Sequence, residues 1–576
     1  MEILLILAVS LILFYLAYKY YGLYIEKIFK VKSENITPSQ EINDGIDYVP
    51  TNKFVVFAHH FASIAGGGPI IGPTIALIFG YIPVWLWILF GTIFIGAVHD
   101  YTSLLTSIRE KGHSIAEIAE KTLGKSGFLL FITFTVIMLI MLTSVFLNLT
   151  TTALSSKYPI EYFGGNSFNI QTVIENGTEY AVIGGIASTS VIFITFFAPI
   201  LGYLLYKKNI KVLYAIFIAI SIAIISVPIG FNFPLHIDSL TWMIVLSIYT
   251  IFAAGIPVWL VLQPRDFINS FMLFGGLIVM LAGVIVIGLS GVEISAPQFN
   301  VTAGENHLGN IWPILFITVA CGAISGFHAL VSGGTTAKQI SFEKPDAKTV
   351  AYGGMILEAV LALLVVLVLS VGISFVQYES LLFPSDPSIK SNPILAFALA
   401  MGGVLNIAFG FPVVIGTIFG ILMVEGFVVT TLDTAVRLNR YLFDEFWKFI
   451  FKKPHRVLQS YFLNALIVVS LMFFFAYTNV FKELWALFGS ANQLLSALTL
   501  ITIAVWLYNK GRKYIFLVLP GIFMTVTAVS ALLLSLINKF IPKMDIELII
   551  GDILLILLTI GVIYLSFKKL FKKKIS

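Results

Sequence analysis

The chain has 576 residues, of which 58% are hydrophobic and only 11% charged, with a mean hydropathy of +0.97 per residue. A soluble protein keeps roughly a quarter of its residues charged, so this composition excludes a soluble globular protein. The single cysteine, Cys321, excludes a disulfide framework and a cysteine-based metal cluster, and the net charge of +5 matters only through where the basic residues lie.

Apolar segments of about 20 residues, the length that crosses a bilayer, recur along the whole chain. The first lacks the basic start and the small-residue cleavage site of a signal peptide, so we interpret it as a retained helix. We predict fifteen crossings, with 394–407 as a short half-helix or re-entrant piece: 3–20, 54–82, 83–108, 127–147, 182–206, 211–228, 240–263, 270–290, 311–333, 350–375, 394–433, 457–477, 484–508, 514–537 and 546–567.

The basic residues give these crossings a direction. If residues 21–53 are cytoplasmic and the chain alternates from there, 30 of the 35 Lys and Arg residues fall on the cytoplasmic side, including those of the loops 264–269 and 437–456 and of the C-terminal tail. The other side holds five lysines: Lys157, Lys390, Lys482, Lys539 and Lys543. Because basic residues concentrate in cytoplasmic loops, we predict that the N-terminus is outside and the C-terminus inside.

The predicted crossing 54–82 contains a helix-breaking sequence at its centre, with three glycines, Gly66–Gly68, followed by Pro69 and Pro73. Glycine does not favour helical geometry, and proline has no amide hydrogen to donate. An unsatisfied backbone group costs several kcal/mol in lipid, so such a break persists only inside protein or beside a cavity. A packing kink between helices is the alternative.

A second interruption, Ala253–Pro257, lies in crossing 240–263, which is the sixth crossing counted from residue 54. An offset of five reverses direction, so the pattern predicts the LeuT-like fold: an all-α polytopic membrane protein with a 5+5 inverted repeat, broken first and sixth core helices and extra helices at both ends. Half-helices that begin near Ile70 and Val258 would direct amides and positive dipole ends at the midplane, where they favour a carboxylate. The predicted substrate-binding residues are Gly66, Gly67, Gly68, Ile70, Gly255, Ile256 and Val258.

Several longer motifs resemble the carbon starvation protein CstA family. They are Asn43–Thr51, His59–Ala62 with the glycine break, Trp259–Asp266, Cys321–Leu330 with Gly334–Thr336, Thr431–Asp433 and Phe488–Gln493. The resemblance implies nutrient uptake across the cytoplasmic membrane during carbon limitation, namely peptide transport or, in close relatives, proton-coupled pyruvate uptake. Gly67 and Gly333 depart from the family pattern, which often has Ala and Ser there.

Ionisable residues inside membrane segments are costly and suggest a pathway for ions or substrate. The adjacent His59 and His60 point about 100° apart on a helix, so they cannot bind one metal from one face. Glu358 and Glu425 lie in apolar runs, where burial disfavours the charged form. The predicted ion- or proton-coupling residues are His59, His60, Ser325, His328, Ser332, Thr335, Thr336, Glu358 and Glu425, of which the four hydroxyls follow by analogy with LeuT-like transporters.

Each polar residue also has a simpler structural interpretation. The histidines could make structural hydrogen bonds, and Asp100 could pair with Arg109. Asp433 and Arg437, four residues apart, fit an intrahelical ion pair, with a gate as the alternative. Asn492 and Gln493 fit hydrogen bonds between neighbouring helices.

The sequence contains no HExxH, GxSxG or other catalytic motif, so we predict a transporter that is not an enzyme, with no cofactor, no metal site and no nucleic-acid partner. We predict three regions: 1–53, an extra helix and linker; 54–433, a ten-helix core; and 434–576, further helices and a basic tail. The predicted function is proton-coupled import of small carboxylate-bearing nutrients, peptides or pyruvate, across the cell membrane. The alternatives are a sodium-coupled symporter of the same fold, a channel or a nutrient sensor.

Overall fold

The protein is a bundle of apolar helices. The computed structural model describes residues 1–45, 47–163, 171–175, 177–385, 391–451, 453–478 and 481–571, so Lys390 and the basic tail beyond 571 lie outside the described residues. Thirteen helical segments of the described residues are long and apolar enough to cross a membrane, counting Lys53–Phe79 with its internal break as one, and two further apolar helices are shorter. They account for every predicted crossing except 311–333, which is broken into two short helices.

The first half of the bundle contains twelve helices. The pairs α1 with α2 and α6 with α7 each form one crossing, joined by a wide helical turn. The helices are α1 Glu2–Leu16, α2 Gly22–Phe29, α3 Pro38–Glu41, α4 Lys53–Ala65, α5 Gly68–Ala76, α6 Tyr81–Gly91, α7 Ala97–Arg109, α8 Ile115–Leu123, α9 Lys125–Leu154, α10 Ile183–Tyr206, α11 Val212–Asn232 and α12 Ser239–Gly255.

The second half contains thirteen helices. A short link joins α19 to α20, so the predicted compound segment 394–433 is two helices packed against each other. The helices are α13 Leu262–Leu289, α14 Val301–His307, α15 Ile311–Thr318, α16 Phe327–Gly334, α17 Gly353–Gly372, α18 Phe375–Leu382, α19 Pro393–Phe409, α20 Val413–Phe451, α21 Tyr461–Thr478, α22 Phe481–Asn509, α23 Ile515–Ser535, α24 Ile541–Lys543 and α25 Ile546–Phe571.

A small antiparallel sheet lies in the connection between α9 and α10. Its strands are β1 Tyr158–Pro159, β2 Thr172–Glu175 and β3 Thr178–Ala181, in the order β1-β3-β2. The strands were not predicted because each is only two to four residues long, too short to show an alternating pattern.

Two predicted loops are wrong, and both errors involve arginines. Residues 264–269 belong to the continuous helix α13, and residues 437–451 continue α20. Arg265 lies inside the protein and pairs with Asp433 at 2.5 Å, while Arg437 pairs with Asp47 at 3.0 Å. A paired and hydrogen-bonded charge can be buried, so these arginines do not mark loops.

Helix α20 occupies the centre of the core. It packs against α4, α9, α12, α13, α19 and α21, and its residues from 420 to 440 are buried. Helix α17 is buried almost throughout and packs against α4, α5, α6, α7 and α19. Polar side chains of these two helices, such as Glu358 on α17 and Glu425 and Asp433 on α20, are therefore buried inside the bundle.

Candidate functional site

The first predicted helix break is present and fully buried. Helix α4 ends at Ala65, and α5 begins at Gly68 with Pro69 in its first turn. Gly66 adopts φ +46°, a conformation that side chains other than glycine rarely accept. A Cβ at Gly66 would lie 2.8 Å from the Thr431 hydroxyl, which itself donates to the Ser63 carbonyl at 3.1 Å. Helix α20 thus satisfies a carbonyl close to the break.

A break that sequence reasoning missed lies directly against the first one. Helix α15 ends at Thr318, and α16 begins only at Phe327, so residues 319–326 leave helical geometry. A Cβ at Gly68 would lie 2.4 Å from the Cβ of Cys321, and one at Gly72 would lie 2.5 Å from the Thr318 carbonyl oxygen. The start of α5 therefore packs directly on the interrupted crossing 311–333, and only glycine fits at positions 68 and 72.

Asn492 of α22 holds this missed break in place. Its side-chain oxygen accepts hydrogen bonds from the Phe327 amide at 2.9 Å and from the Ser325 hydroxyl at 3.2 Å, and its carbonyl accepts one from the Gly326 amide at 3.1 Å. The neighbouring Gln493 donates to the Phe316 carbonyl. The prediction that Asn492 and Gln493 bond between helices is confirmed.

The break predicted in crossing 240–263 is also present, but its second half differs from the prediction. Helix α12 ends at Gly255, and the next helix begins at Leu262 and continues without interruption to Leu289. The expected half-helix starting near Val258 is therefore wrong. Pro264 lies within the first turn of the helix, where amides have no intrahelical partner, so it starts the helix instead of breaking it.

The breaks at Gly66 and Gly255 flank α20 at different heights. Gly66 lies against Thr431, whereas the Ile256 carbonyl accepts a hydrogen bond of 2.6 Å from Arg437, six residues or about 9 Å further along that helix. Ile70 and Val258 are buried, but Gly255 is exposed and a Cβ there would meet no atom within 4 Å. The predicted substrate-binding residues thus form two groups that meet α20 at different positions along its length.

A cavity of about 130 Å³ approaches the breaks from one end of the bundle. It reaches Ile75 near the end of α5 and Thr318, the last helical residue before the missed break. His307 and Lys539 line its walls among apolar side chains such as Ile314 and Phe383. The His307 Nε2 atom lies 3.2 Å from a Glu379 carboxylate oxygen.

A first buried ionic group, the arginine cluster, consists of His59, Tyr249, Arg265, Asp266 and Asp433. The Arg265 guanidinium contacts an Asp433 carboxylate oxygen at 2.5 Å and an Asp266 oxygen at 3.4 Å, and it donates to the Tyr249 hydroxyl at 2.8 Å. The His59 Nδ1 lies 2.7 Å from the other Asp266 oxygen. The expected Asp433–Arg437 pair is wrong because each residue has found a partner on another segment.

A second buried group, the histidine cluster, consists of His99, Asp100, His328 and Glu358, all with no exposed surface. The Nδ1 atoms of His99 and His328 lie 2.8 and 2.7 Å from the two Asp100 oxygens. The His328 Nε2 lies 3.3 Å from a Glu358 oxygen, without the alignment of a hydrogen bond. The expected Asp100–Arg109 pair is wrong, since Arg109 contacts Glu343 at 2.6 Å.

The other predicted coupling residues do not converge on one point. His60 faces away from His59 and contacts the Thr336 hydroxyl at 2.8 Å. Thr335 donates to the Val331 carbonyl, while the buried Ser332 hydroxyl has no protein partner among the described residues. Glu425 is buried on α20 and has one carboxyl oxygen without a partner in that same set. The partners of these residues were not predicted: Arg265 and Asp266 belong to the motif Trp259–Asp266 but were given no role, and Asp100 was expected to pair with Arg109.

Comparison with known proteins gives the family. A family model described as carbon starvation protein CstA matches residues 2–386 and 385–531. The peptide transporter CstA of Bacillus subtilis (strain 168) is 32% identical over 564 residues, which cover 91% of this chain and 88% of that protein. The pyruvate/proton symporter BtsT of Escherichia coli (strain K12) is 29% identical over 622 residues, which cover 94% of this chain and 82% of that protein.

Two solved structures share a loose similarity in shape. One is MhsT in complex with L-phenylalanine, with a TM-score of 0.47, 13% identity and coverage of 89% of this chain and 99% of that one. The other is a mutant manganese transporter of Eremococcus coleocola, with a TM-score of 0.41, 13% identity and coverage of 92% and 98%. The assignment rests on the sequence matches, which extend over nearly the whole chain. The chain belongs to the carbon starvation protein CstA family of membrane transporters.

Proposed function

We propose that the protein is a secondary active symporter that imports small carboxylate-bearing nutrients, peptides or pyruvate, across the cytoplasmic membrane together with protons. Residues 54–433 would form the ten-helix transporter core with two five-helix repeats of opposite direction. The N-terminus would lie outside and the C-terminus in the cytoplasm, as the distribution of basic residues favours. The named relatives include a peptide transporter and a pyruvate/proton symporter.

The observation that carries this proposal is the buried break between α4 and α5. The α5 helix starts inside the protein, and its positive dipole end favours an anion there, while the Ile70 and Ile71 amides already donate to the Gly67 carbonyl. A carboxylate is the group that peptides and pyruvate have in common. Gly66, Gly67, Gly68 and Ile70 would bind it, and the wall opposite would be the missed break at 319–326, which already contacts Gly68.

The described conformation supports a carrier more than an open channel. Side chains close on Gly66 and Gly67 from Thr431, Val428 and Phe146, so the break is covered. The cavity beside Ile75 and Thr318, with His307 and Lys539 on its walls, would be the approach from the outer side. Substrate would have to displace packed side chains to reach the break, which is the behaviour of an alternating-access carrier.

The test is uptake of labelled pyruvate and of a labelled dipeptide into proteoliposomes. We expect accumulation of at least one of them under an inward proton gradient, with loss of accumulation when a protonophore is added. Accumulation that follows an imposed sodium gradient instead would overturn proton coupling. Fluxes that only equilibrate under either gradient would overturn symport in favour of a channel.

A pair of glycine variants links the uptake to the break. Gly66→Ala introduces a Cβ at positive φ and 2.8 Å from the Thr431 hydroxyl oxygen, which strains the break by roughly 1–3 kcal/mol. We therefore expect uptake to fall by about tenfold or more. Gly275→Ala on α13 is the control, because a Cβ there meets no atom within 4 Å. Equal uptake by the two variants would show that transport does not depend on the break at Gly66.

A further inference from the structure

His328 differs from the other buried histidines of the described residues in the surroundings of its two ring nitrogens. Among the described residues, the Nε2 atoms of all four buried histidines, His59, His60, His99 and His328, lack an aligned hydrogen bond, but only that of His328 has a carboxylate within 4 Å. Both nitrogens of His328 face carboxylates, Nδ1 at 2.7 Å from Asp100 and Nε2 at 3.3 Å from Glu358. His328 therefore bridges two acidic groups from α7 and α17.

Asp100 fixes which nitrogen of His328 carries a hydrogen. Each Asp100 oxygen lies within hydrogen-bond distance of one histidine Nδ1, and an ionised carboxylate can only accept, so both Nδ1 atoms donate. In neutral His328 the Nε2 atom then has a lone pair that points towards Glu358. An ionised Glu358 would present a second acceptor to that lone pair, and the two would repel.

The charges in the histidine cluster also indicate that Asp100 and Glu358 need an added proton. Asp100 and Glu358 are fully buried, and none of the described lysines or arginines forms an ion pair with either of them. The other titratable groups nearby are His99 on α7, His60 on α4, whose ring lies beside Gly354 one turn before Glu358, and the Cys321 thiol. None of these is a fixed cation. Two buried carboxylates close together cannot both stay ionised without added positive charge.

We propose that the His328–Glu358 pair binds the coupling proton, with Asp100 as the positioning residue that holds His328 Nδ1–H towards itself. One proton lies either on Glu358, which then donates to Nε2, or on Nε2 as part of an imidazolium that faces the carboxylate. Loss of the proton leaves two facing acceptors and destabilises the contact between His328 on α16 and Glu358 on α17. This inference rests on the proposed proton symport.

The pair is linked to the proposed substrate site through the chain itself. His328 is the second residue of α16, which begins where the interrupted segment 319–326 ends. Cys321 in that segment contacts Gly68 at the start of α5. A shift of α16 on deprotonation would therefore move the wall opposite the proposed carboxylate site.

The decisive variant is Glu358→Gln in proteoliposomes. Its amide can donate to His328 Nε2 at every pH, so the variant imitates the protonated pair permanently. We expect exchange of internal and external substrate at equal pH to stay within about twofold of wild type, while accumulation under a one-unit pH gradient falls from a maximum of about tenfold per coupled proton to none. Asp552→Asn on α25 removes another buried carboxyl, one outside the predicted coupling residues, and is the matched control, expected to retain accumulation.

Infrared spectroscopy of the purified protein gives a second readout that does not need transport. Wild type and Asp552→Asn should lose the carbonyl band of a protonated carboxyl, or the ring band of an imidazolium, as pH rises, and Glu358→Gln should lack that change. Accumulation by Glu358→Gln equal to wild type, or an unchanged infrared titration, would overturn the assignment. If wild type itself shows no proton-driven uptake, the proposed function fails, and the infrared titration still decides whether the pair binds a proton.

Discussion

The arginine cluster and the histidine cluster handle buried charge in different ways. The first places one guanidinium among Asp266, Asp433 and Tyr249, with His59 on the far side of Asp266. The second places two carboxylates around His328 without a lysine or arginine ion pair among the described residues. Both lie next to a helix break, the first beside α12 and α20 and the second at the start of α16.

The difference separates structural charge from exchangeable charge. Arginine does not release its proton in proteins, so the arginine cluster keeps its central cation at every working pH. Histidine and a buried carboxyl can exchange one, so the histidine cluster can change its charge during a transport cycle. The comparison predicts large effects on stability at Arg265 and effects on pH dependence around Asp100.

The largest expected effect is that of Arg265→Met. Removing the guanidinium leaves the buried Asp433 carboxylate without a cation, which costs about 3–5 kcal/mol in the free energy of unfolding. Adding Asp433→Leu to the same variant should restore part of that loss, because no unpaired charge then remains at position 433. Thermal unfolding in detergent micelles, followed by tryptophan fluorescence, measures both.

Lys448→Met provides the control for a surface ion pair. Lys448 contacts Asp444 at 2.6 Å, but its side chain is 59% exposed, so its loss should change stability by no more than about 0.5 kcal/mol. If Arg265→Met is as mild as Lys448→Met, the arginine cluster is not a structural ion pair and the contrast between the two clusters fails.

A smaller effect on stability, with a distinct effect on transport, is expected for Asp100→Asn. An amide can accept from one histidine Nδ1 but must donate to the other, so one hydrogen bond is lost or one tautomer changes, at a cost of about 1–3 kcal/mol. If His328 changes tautomer, its Nε2–H can donate to an ionised Glu358, and the pair no longer needs an added proton.

The measurement for Asp100→Asn is the pH profile of substrate uptake, with the unfolding midpoint recorded alongside. We expect a flatter profile than that of wild type. Asp444→Asn, which changes a carboxylate in the peripheral pair, should leave the profile unchanged. A wild-type profile in the Asp100→Asn protein would remove Asp100 from its positioning role.

Local sequence chemistry predicted most of the fold. Apolar length located nearly every crossing, and glycine with proline marked the breaks at Gly66 and Gly255 correctly. The break at 319–326 was missed because it contains no proline, and its glycines and other small or apolar residues also fit a packed helix. What stops the helix there is a long-range contact, the hydrogen bonds of Asn492, which lies 166 positions after Gly326.

The polar site was predicted by residue type and not by partner. His59, His328 and Glu358 were selected as ionisable residues in apolar segments, which is a local property. Their partners come from other helices, as in His59 with Asp266 and His328 with Asp100 and Glu358. Local spacing favoured Asp433 with Arg437, yet the packing of α13 on α20 brings Arg265 to Asp433 instead.

An effect smaller than that of Asp100→Asn is expected at Asp47, in the linker outside the membrane-spanning helices. Asp47 accepts hydrogen bonds from Arg437 at 3.0 Å and from the Tyr441 hydroxyl at 2.5 Å. Burial alone would raise the pKa of the Asp47 carboxyl, but the Arg437 charge and the Tyr441 hydrogen bond hold this pKa below its usual value.

A carboxyl whose pKa is lowered on folding stabilises the protein above its unfolded pKa and loses that contribution only as pH falls through the folded pKa. Between about pH 5 and 8 the contribution of Asp47 is therefore constant, so Asp47→Asn should cost a pH-independent amount of about 1 kcal/mol. Unfolding midpoints of wild type and Asp47→Asn across that range measure it, with uptake profiles recorded on the same samples. Because the histidine cluster is the proposed source of pH dependence, the Asp47→Asn uptake profile should keep the wild-type shape, and a shifted profile would mean that the linker ion pair takes part in proton coupling.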